Sequence, residues 1–480
     1  MSKHYPLMIA DQQIAAAGLL EVKAAFDAEL IASVDTAGPA AVESALETAD
    51  ALFKNKQDWL PVARRIEIFE SAAEIMLQSA EELALNAAQE GGKPLLDSRI
   101  EVTRAIDGIK NCIELMRNNH GEEIPMSINA SSANRLAMTR REPIGVVVAV
   151  SAFNHPLNLI VHQIGPALAA GCPVIIKPAE DTPLSCFDLI NIFREAGLPA
   201  EYCQALVVSD LTVATQLVTD PRVGFFSFIG SAKVGWMLRS QLAAGTRCAL
   251  EHGGVAPVII AADADLDDVL PLLAKGGFYH AGQVCVSVQR VFAEASVARE
   301  VAQRLAELGN NMTIGDPMLA STEIGPLIRP QETRRISDWV NEAISEGAEC
   351  LAGGKAISDS CYPATVLYQP DRSSKVSVNE IFGPVIAVYA YEDINDAIAQ
   401  ANALPFAFQA AVCTSNIDTA MHVYKNINAS ALMINDHTAF RVDWMPFAGL
   451  KQSGLGVGGI PHTFRDMQTE KLLVLRSKNL

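Results

Sequence analysis

The spacing of apolar residues separates long helical segments from short β-rich runs. Apolar residues recur at helical spacing, with charges between them, over residues 42–53 and 63–86, which predicts helices there. Residues 145–150 (GVVVAV) and 173–176 (PVII) are β-branched runs suited to buried parallel strands. Residues 157–170 between them have the pattern of a helix. These segments predict a βαβ unit and an α/β fold.

Further along the chain the same alternation continues. Residues 225–229 (FFSFI) predict a third strand, which runs into a Gly-Ser pair and a helix from residue 232. Residues 258–260 and 264–278 predict a strand and a helix that begin a second α/β block. The chain is therefore expected to contain two α/β units.

Two segments do not fit these blocks. The polar stretch 119–141 interrupts the first block, and the alternation of Ile124, Met126 and Ile128 predicts an exposed hairpin. The tail at 471–475 (KLLVL) predicts a lone strand. Unpaired strand edges favour association, so both segments are expected to need a covering partner.

Length and charge narrow the class of protein. A chain of 480 residues is longer than the chains that fold around a single hydrophobic core, so two or three domains are expected. The formal net charge of −18 argues against a nucleic acid or an anionic membrane as partner and favours a soluble protein of the cytoplasm.

Cysteine spacing and the apolar runs point the same way. The nine cysteines contain no CxxC pair, so neither a zinc site nor a disulfide framework is indicated. Residues 1–18 lack the basic start and apolar core of a signal peptide, and the longest largely apolar run, 144–153, is too short to span a bilayer. A reducing compartment is expected, which would keep a nucleophilic thiol available.

Three residues suggest a reaction when taken together. Cys285 follows a Gly-Gln-Val run, Glu251 lies 34 positions earlier near a glycine pair, and Asn154 precedes a His-Pro pair. A thiolate at Cys285 can attack an aldehyde to form a thiohemiacetal, whose developing oxyanion needs donors from Asn154 and the Cys285 backbone N–H. Loss of hydride leaves a thioester, and Glu251 is the candidate base that activates the hydrolytic water.

The cofactor is predicted from a turn and a charged pair. Residues 230–235 (GSAKVG) lie between a strand and a helix, where backbone amides can hold a pyrophosphate. Lys177 and Glu180, at the end of another predicted strand, can form hydrogen bonds with the hydroxyls of the adenine ribose. A carboxylate there repels a 2′-phosphate, so NAD is favoured over NADP.

With these residues the chain resembles the NAD(P)-dependent aldehyde dehydrogenase superfamily over nearly its whole length. Residues 380–384 (EIFGP) resemble the segment that contacts the nicotinamide and its ribose, and residues 446–454 (PFAGLKQSG) resemble the C-terminal signature. The resemblance implies that Cys285 is the nucleophile, Glu251 the general base and Asn154 the oxyanion donor. It also implies that the cofactor is held by Lys177, Glu180, Gly230, Ser231, Glu380 and Phe382.

The resemblance also implies a domain arrangement. Residues 1–118 and 143–250 would form a Rossmann-type NAD-binding domain, and residues 251–449 an α/β catalytic domain. Residues 119–142 and 463–480 would form a small β oligomerisation element, so a homodimer or homotetramer is expected.

The substrate is expected to be a small polar or anionic aldehyde. The subgroup that the chain resembles acts on lactaldehyde-like compounds and on aldehydes that bear a phosphonate or sulfonate. An anionic substrate approaching a protein of charge −18 needs local cations. Arg441 and His155 are the best candidates, with His437 and Arg104 behind them, because a guanidinium can clamp an oxyanion with paired hydrogen bonds.

Several alternatives remain open from the sequence. Arg441 can instead pair with Asp443 or Asp436, and Arg104 can be a charge on a helix surface. His252 replaces the leucine usual beside the base and can shift the protonation of Glu251. Within the family, a CoA-acylating semialdehyde dehydrogenase is the rival, although such enzymes generally lack the acid at position 251. A non-catalytic homologue is the other rival.

Overall fold

The structure is a computed structural model that describes residues 3–480. Met1 and Ser2 lie outside the described residues. Both belong to residues 1–18, which lack the pattern of a signal peptide, and to the predicted NAD-binding domain. The helices are α1 (Pro39–Lys54), α2 (Val62–Gln78), α3 (Ala80–Gly91), α4 (Leu95–Arg117), α5 (Asn158–Ala170), α6 (Leu184–Glu195), α7 (Leu211–Thr219), α8 (Ala232–Arg239), α9 (Leu266–Phe278), α10 (Ala295–Asn310), α11 (Pro330–Ser345), α12 (Lys375–Val378), α13 (Ile394–Asn402), α14 (Ile417–Asn426) and α15 (Ile460–Asp466).

The strands form two large sheets and three small ones. They are β1 (Lys3–Tyr5), β2 (Gly18–Lys23), β3 (Leu30–Thr36), β4 (Glu123–Ile124), β5 (Arg135–Pro143), β6 (Val146–Val150), β7 (Val174–Lys177), β8 (Cys203–Ala205), β9 (Val223–Ile229), β10 (Arg247–Glu251), β11 (Pro257–Ile260), β12 (Arg290–Glu294), β13 (Glu349–Ala352), β14 (Thr365–Tyr368), β15 (Val385–Tyr391), β16 (Phe406–Ala407), β17 (Gln409–Cys413), β18 (Ala431–Ile434), β19 (Leu450–Lys451), β20 (Gly454–Leu455) and β21 (Gln468–Arg476).

The first large sheet has the strand order β20-β10-β9-β6-β7-β8, and only β20 runs antiparallel to its neighbour. The β-branched strand β6 lies at its centre, and its first four residues are fully buried. Helix α5 connects β6 to its parallel neighbour β7, which is the predicted βαβ unit. The α/β fold predicted from the apolar pattern is therefore confirmed.

The second large sheet has the order β13-β14-β15-β12-β11-β17-β18, with β13 as its antiparallel edge. Strand β11 and helix α9 are the predicted start of this block. Helix α9 begins at Leu266 rather than at residue 264, because the side chain of Asp265 caps it by accepting hydrogen bonds from the N–H groups of Asp267 and Asp268.

The predicted hairpin and tail come together in one sheet of order β21-β5-β4. All nine residues of β21 pair with β5, from Gln468 opposite Pro143 to Arg476 opposite Arg135. The tail strand therefore finds a partner in its own chain. Its outer edge remains unpaired within residues 3–480, and the apolar side chains from Leu472 to Leu475 are exposed.

The segment 63–86, predicted as helical throughout, is two helices. Helix α2 ends at Gln78 and α3 begins at Ala80, with Ser79 between them. The Ser79 hydroxyl donates to the carbonyl of Ile75 at 2.7 Å, a bond within the last turn of α2 that competes with the regular helix. Over residues 3–480, no helix is long and apolar enough to cross a membrane.

Candidate active site

A cavity of about 380 Å³ lies at the carboxyl ends of β6, β9 and β10, beside the segment that follows α9. This edge of a parallel sheet is the usual ligand site in α/β folds. Ten of the residues selected from the sequence line it, namely Arg104, Asn154, His155, Gly230, Ser231, Glu251, Cys285, Glu380, Phe382 and Arg441. Lys177, Glu180 and His437 are not among its lining residues.

Cys285 enters the cavity from an unusual turn. His280 and Ala281 have φ of 50° and 53°, and Gly282 continues the left-handed stretch at 67°. A Cβ at Gly282 would lie 2.1 Å from the carbonyl oxygen of Gly383, so glycine is required there. Burial raises the pKa of the Cys285 thiol well above its usual range, and nearby Glu251 raises it further while Arg441 opposes the shift. The resting thiol is protonated at neutral pH and needs a base.

Glu251 is the last residue of β10. Its backbone pairs with Ile229 of β9 and with Gly454 of β20, which fixes the carboxylate at the edge of the sheet. Its Oε1 lies 3.4 Å from Nη1 of Arg441. Burial raises the pKa of Glu251, and the guanidinium of Arg441 acts against that rise. A carboxylate with a raised pKa is a better proton acceptor than an exposed one.

Asn154 lies in the loop between β6 and α5. Its Nδ2 donates to the backbone carbonyl of Gln283 at 2.8 Å, which ties this loop to the Cys285 turn. An amide nitrogen carries two hydrogens, so the second one remains for a ligand. The buried carboxylate of Glu101 anchors the loop by accepting from the N–H groups of Leu157 and Asn158, each at 2.9 Å.

His252 does not act beside the base as its position in the sequence suggested. Its ring lies against the turn that follows β9, where Nδ1 is 2.8 Å from the carbonyl oxygen of Gly230. Burial lowers the pKa of His252. The charged neighbour that shifts the protonation of Glu251 is Arg441.

The glycine turn after β9 and the buried Glu380 form the other end of the cavity. A Cβ at Gly235 would lie 2.0 Å from the His252 ring, so the first turn of α8 tolerates only glycine there. Oε1 of Glu380 is buried without a hydrogen-bond partner, and burial raises the pKa of this carboxyl to about 8. A buried polar atom without a partner is the feature that a ribose hydroxyl would satisfy. Glu380, Phe382 and the turn at Gly230 therefore fit a nicotinamide dinucleotide.

Lys177 and Glu180 lie just beyond the cavity, at the end of β7. Their charged atoms are 3.4 Å apart, and Ala179 between them does line the cavity. Lys177 is mostly buried, whereas Glu180 is 41% exposed. The pair is thus adjacent to the glycine turn but open to solvent on the Glu180 side.

The four candidate substrate residues differ in their surroundings. His437 packs against Gly276 of α9, and its Nδ1 accepts from the N–H of Ala439. Burial lowers the pKa of His155 well below its usual range, so His155 offers a neutral ring rather than the expected positive charge. Arg104 lines the cavity instead of a helix surface.

Arg441 does not pair with Asp443 or Asp436. Asp443 is occupied by Arg104, whose Nη2 and Nε donate to its two oxygens at 2.7 and 3.1 Å. Burial opposes ionisation of Asp443, but the hydrogen bond from His162 and the hydrogen bonds and charge of Arg104 outweigh it and hold its pKa far below the usual range. The nearest acid to Arg441 is Glu251 instead.

His162 and Phe447 are site residues that the sequence reasoning missed. Burial and the charge of Arg441 lower the pKa of His162 to about 4, so its ring is neutral. Its Nε2 lies 2.7 Å from Asp443 and its Nδ1 3.3 Å from Nη2 of Arg441, so Nε2 carries the proton. The ring of Phe447 stacks against the Arg441 guanidinium, 3.6 Å from centroid to Cζ. The signal for His162 was its spacing of four from Asn158 on α5, which places both on one helix face.

Known proteins of similar sequence and structure identify the family of the chain. Residues 14–473 match the aldehyde dehydrogenase family. The chain is 35% identical over 474 residues to the 3-sulfolactaldehyde dehydrogenase of Priestia megaterium, covering 98% of each protein. Aldehyde dehydrogenase 21 from Physcomitrella patens, solved with its reaction product succinate, superposes with a TM-score of 0.95 at 31% identity over 99% of both chains.

A second solved structure bears on the cofactor. The glyceraldehyde-3-phosphate dehydrogenase of Methanocaldococcus jannaschii, complexed with NADP, has a TM-score of 0.91 and 32% identity over 95% of this chain and 99% of its own. The resemblance inferred from the sequence is confirmed, and the protein is an NAD(P)-dependent oxidoreductase. This chain belongs to the aldehyde dehydrogenase family.

Proposed function

We propose that the protein oxidises a small anionic aldehyde to its carboxylic acid, with NAD as oxidant and a thioester on Cys285 as intermediate. The observation that carries this proposal is the convergence of a thiol, a carboxylate and an amide donor on one cavity. The balanced reaction consumes the aldehyde, NAD⁺ and water, and releases the carboxylate, NADH and two protons.

The first half of the reaction forms a carbon–sulfur bond. Because burial keeps the Cys285 thiol protonated, Glu251 is the group in the cavity that takes its proton. The thiolate attacks the aldehyde carbon, and the carbonyl oxygen becomes an oxyanion. The free N–H of Asn154 and the backbone N–H of Cys285 donate to that oxygen.

The second half releases the acid. Glu380, Phe382 and the turn at Gly230 would hold the nicotinamide dinucleotide, which would supply the hydride acceptor that turns the thiohemiacetal into a thioester on Cys285. Glu251 releases the thiol proton to solvent and then takes a proton from water, the resulting hydroxide attacks the acyl carbon, and the carbon–sulfur bond breaks to return the Cys285 thiolate. Retention of the acid at position 251 favours water over CoA as acyl acceptor, and retention of Cys285, Glu251 and Asn154 argues against a non-catalytic homologue.

We assign the cofactor preference to Glu180. Its carboxylate is exposed beside Lys177 at the end of β7, where it can accept from ribose hydroxyls and repel a 2′-phosphate. Glu180→Ser is expected to raise kcat/KM with NADP while lowering it with NAD. Glu346→Ser, which removes an exposed carboxylate elsewhere, serves as the control. An unchanged NADP to NAD ratio in Glu180→Ser would contradict the assignment.

The substrate class follows from Arg441. Among the described cavity residues, Arg441 is a cation whose acid contact, to Glu251, is long at 3.4 Å, while Arg104 is bound to Asp443 at 2.7 Å. A guanidinium in a largely apolar cavity suits a carboxylate, sulfonate or phosphonate. The Priestia relative is named for a sulfonated aldehyde, which supports an anionic aldehyde as the substrate class.

The test is NADH formation by the purified protein with a panel of aliphatic, hydroxylated, carboxylated, phosphonated and sulfonated aldehydes. Cys285→Ala is expected to lower kcat by at least about 1000-fold, because removing a covalent nucleophile removes the pathway. Turnover that persists in Cys285→Ala would contradict the thioester mechanism. Turnover only when CoA is added would favour the acylating alternative.

The assembly and location are also proposals. The exposed apolar row from Leu472 to Leu475 on β21 favours a homodimer or homotetramer, which light scattering after size exclusion would measure. A monomer at micromolar concentration would contradict it. The need for a reduced Cys285 and the net charge of −18 favour the cytoplasm.

A further inference from the structure

We propose that the acid group of the substrate switches on the general base, by drawing Arg441 away from Glu251. This inference rests on the proposed function, in which Arg441 binds the anionic group and Glu251 activates water. Glu251 and the anionic group of the substrate are alternative partners of Arg441, so binding of the anion changes the reactivity of the Glu251 carboxylate.

Arg441 is held loosely for a buried guanidinium. Its Nη1 is 3.4 Å from Glu251 and its Nη2 3.3 Å from His162, both at the long end of hydrogen-bond range. Its Nε is buried without a partner. A guanidinium offers five N–H donors, so this one retains capacity for a stronger acceptor. The ring of Phe447 supports its face without competing for its edge.

The surrounding groups leave Glu251 as the resting partner of Arg441. Asp443, the acid that His162 binds, already accepts hydrogen bonds from Arg104, His162 and Asn158. His162 is neutral and accepts from Arg441, so it does not balance the positive charge. The guanidinium therefore interacts with the carboxylate of Glu251 until an anionic ligand enters.

The pairing lowers the basicity of Glu251. A guanidinium 3.4 Å away stabilises the ionised carboxylate and occupies one of its oxygens, so a proton binds it less well. When a sulfonate or carboxylate of the substrate binds Arg441, that stabilisation weakens, and the effect of burial on Glu251 prevails. The same anion remains attached to the acyl group of the thioester, so the base is free when water must be activated.

A neutral aldehyde leaves the pair intact, which provides the test. Acetaldehyde turnover is measured with NAD at constant ionic strength, with and without methanesulfonate, which carries the anion but no aldehyde. Methanesulfonate is expected to raise kcat saturably by roughly 3- to 10-fold, as for a general base whose pKa moves toward the working pH. Rapid mixing is expected to show an NADH burst of unchanged amplitude and a faster later phase, which deacylation limits.

Two variants decide the origin of the effect. Arg441→Ala is expected to hydrolyse the acetyl thioester at the activated rate with no response to methanesulfonate, since its base is never paired. Arg99→Ala removes an exposed arginine bound to Glu81 and is expected to respond as the unaltered protein does. An activation that survives in Arg441→Ala would assign the effect to another site and overturn the proposal.

The outcomes separate this proposal from the proposed function. Unchanged or inhibited acetaldehyde turnover with methanesulfonate overturns the switch, even when anionic aldehydes remain the preferred substrates. Absence of turnover with acetaldehyde plus methanesulfonate, alongside turnover of a sulfonated aldehyde, overturns it as well. Absence of turnover with every aldehyde refutes the oxidation itself.

Discussion

Arg104 and Arg441 line different parts of the wall of one cavity, and their surroundings differ. Arg104 extends from α4 and holds Asp443 through two short hydrogen bonds, within a cluster that also contains His162 and Asn158. Arg441 extends from the loop before β19 and makes two long contacts, one of them to Glu251. A matched buried ion pair mainly maintains structure, whereas a partly satisfied cation is available to a ligand. The same residue type is thus expected to serve stability at one wall and recognition at the other.

The largest expected effect is on stability, at the Arg104 wall. Arg104→Ala leaves the carboxylate of Asp443, whose side chain is 2% exposed, without its main cationic partner. Breaking a buried pair costs about 3 kcal/mol of the free energy of unfolding. Chemical denaturation measures this loss. Arg99→Ala, from the same helix, is the matched control because its bond to Glu81 is exposed and contributes little. Equal losses in the two variants would contradict the structural role of Arg104.

The next effect is on selectivity, at the Arg441 wall. Arg441→Ala is expected to lower kcat/KM for a sulfonated or carboxylated aldehyde by roughly 30-fold, about 2 kcal/mol of lost charge-assisted hydrogen bonding. The value for acetaldehyde is not expected to fall, since acetaldehyde has no anion for Arg441 to bind. Steady-state assays with both substrates measure the ratio. A ratio unchanged from that of the unaltered protein would remove Arg441 from substrate binding.

A smaller effect separates charge from geometry at the same position. Arg441→Lys keeps the positive charge but loses the planar pair of donors, so kcat/KM for the anionic aldehyde is expected to fall by roughly tenfold. The stacking against Phe447 is lost as well. A lysine variant as active as the unaltered protein would show that the positive charge alone recognises the substrate, and that paired hydrogen bonds from a guanidinium are not needed.

The sequence predicted those features that depend on local pattern. The β-branched strand β6 was recognisable because burial on both faces constrains residue type directly. Cys285, Glu251 and Asn154 were selected by their chemistry, and they line one cavity.

Features that depend on distant contacts were not predictable. His162 joins Asp443, which lies 281 residues away in the chain, and no spacing rule links such positions. Glu101 has the position of an ordinary carboxylate in a helix, yet it is buried and anchors the loop of Asn154. His252 was assigned to the base from adjacency alone, but successive side chains of an extended segment point to opposite sides. The break at Ser79 likewise does not show in the apolar pattern.

The smallest expected effect is on the pH dependence, and it concerns Arg441 and Glu251. Burial raises the pKa of Glu251 and Arg441 opposes the rise, so Arg441→Ala leaves a carboxyl that holds its proton to higher pH. The base works only when ionised, and the acidic limb of kcat for acetaldehyde is therefore expected to move to higher pH in Arg441→Ala. Acetaldehyde is used because an anionic substrate would itself engage Arg441. Arg99→Ala is expected to keep the limb of the unaltered protein, since it is remote from the cavity. A limb that stays in place in Arg441→Ala would mean that Arg441 does not govern the protonation of Glu251, and the two arginines would then differ only in what they bind.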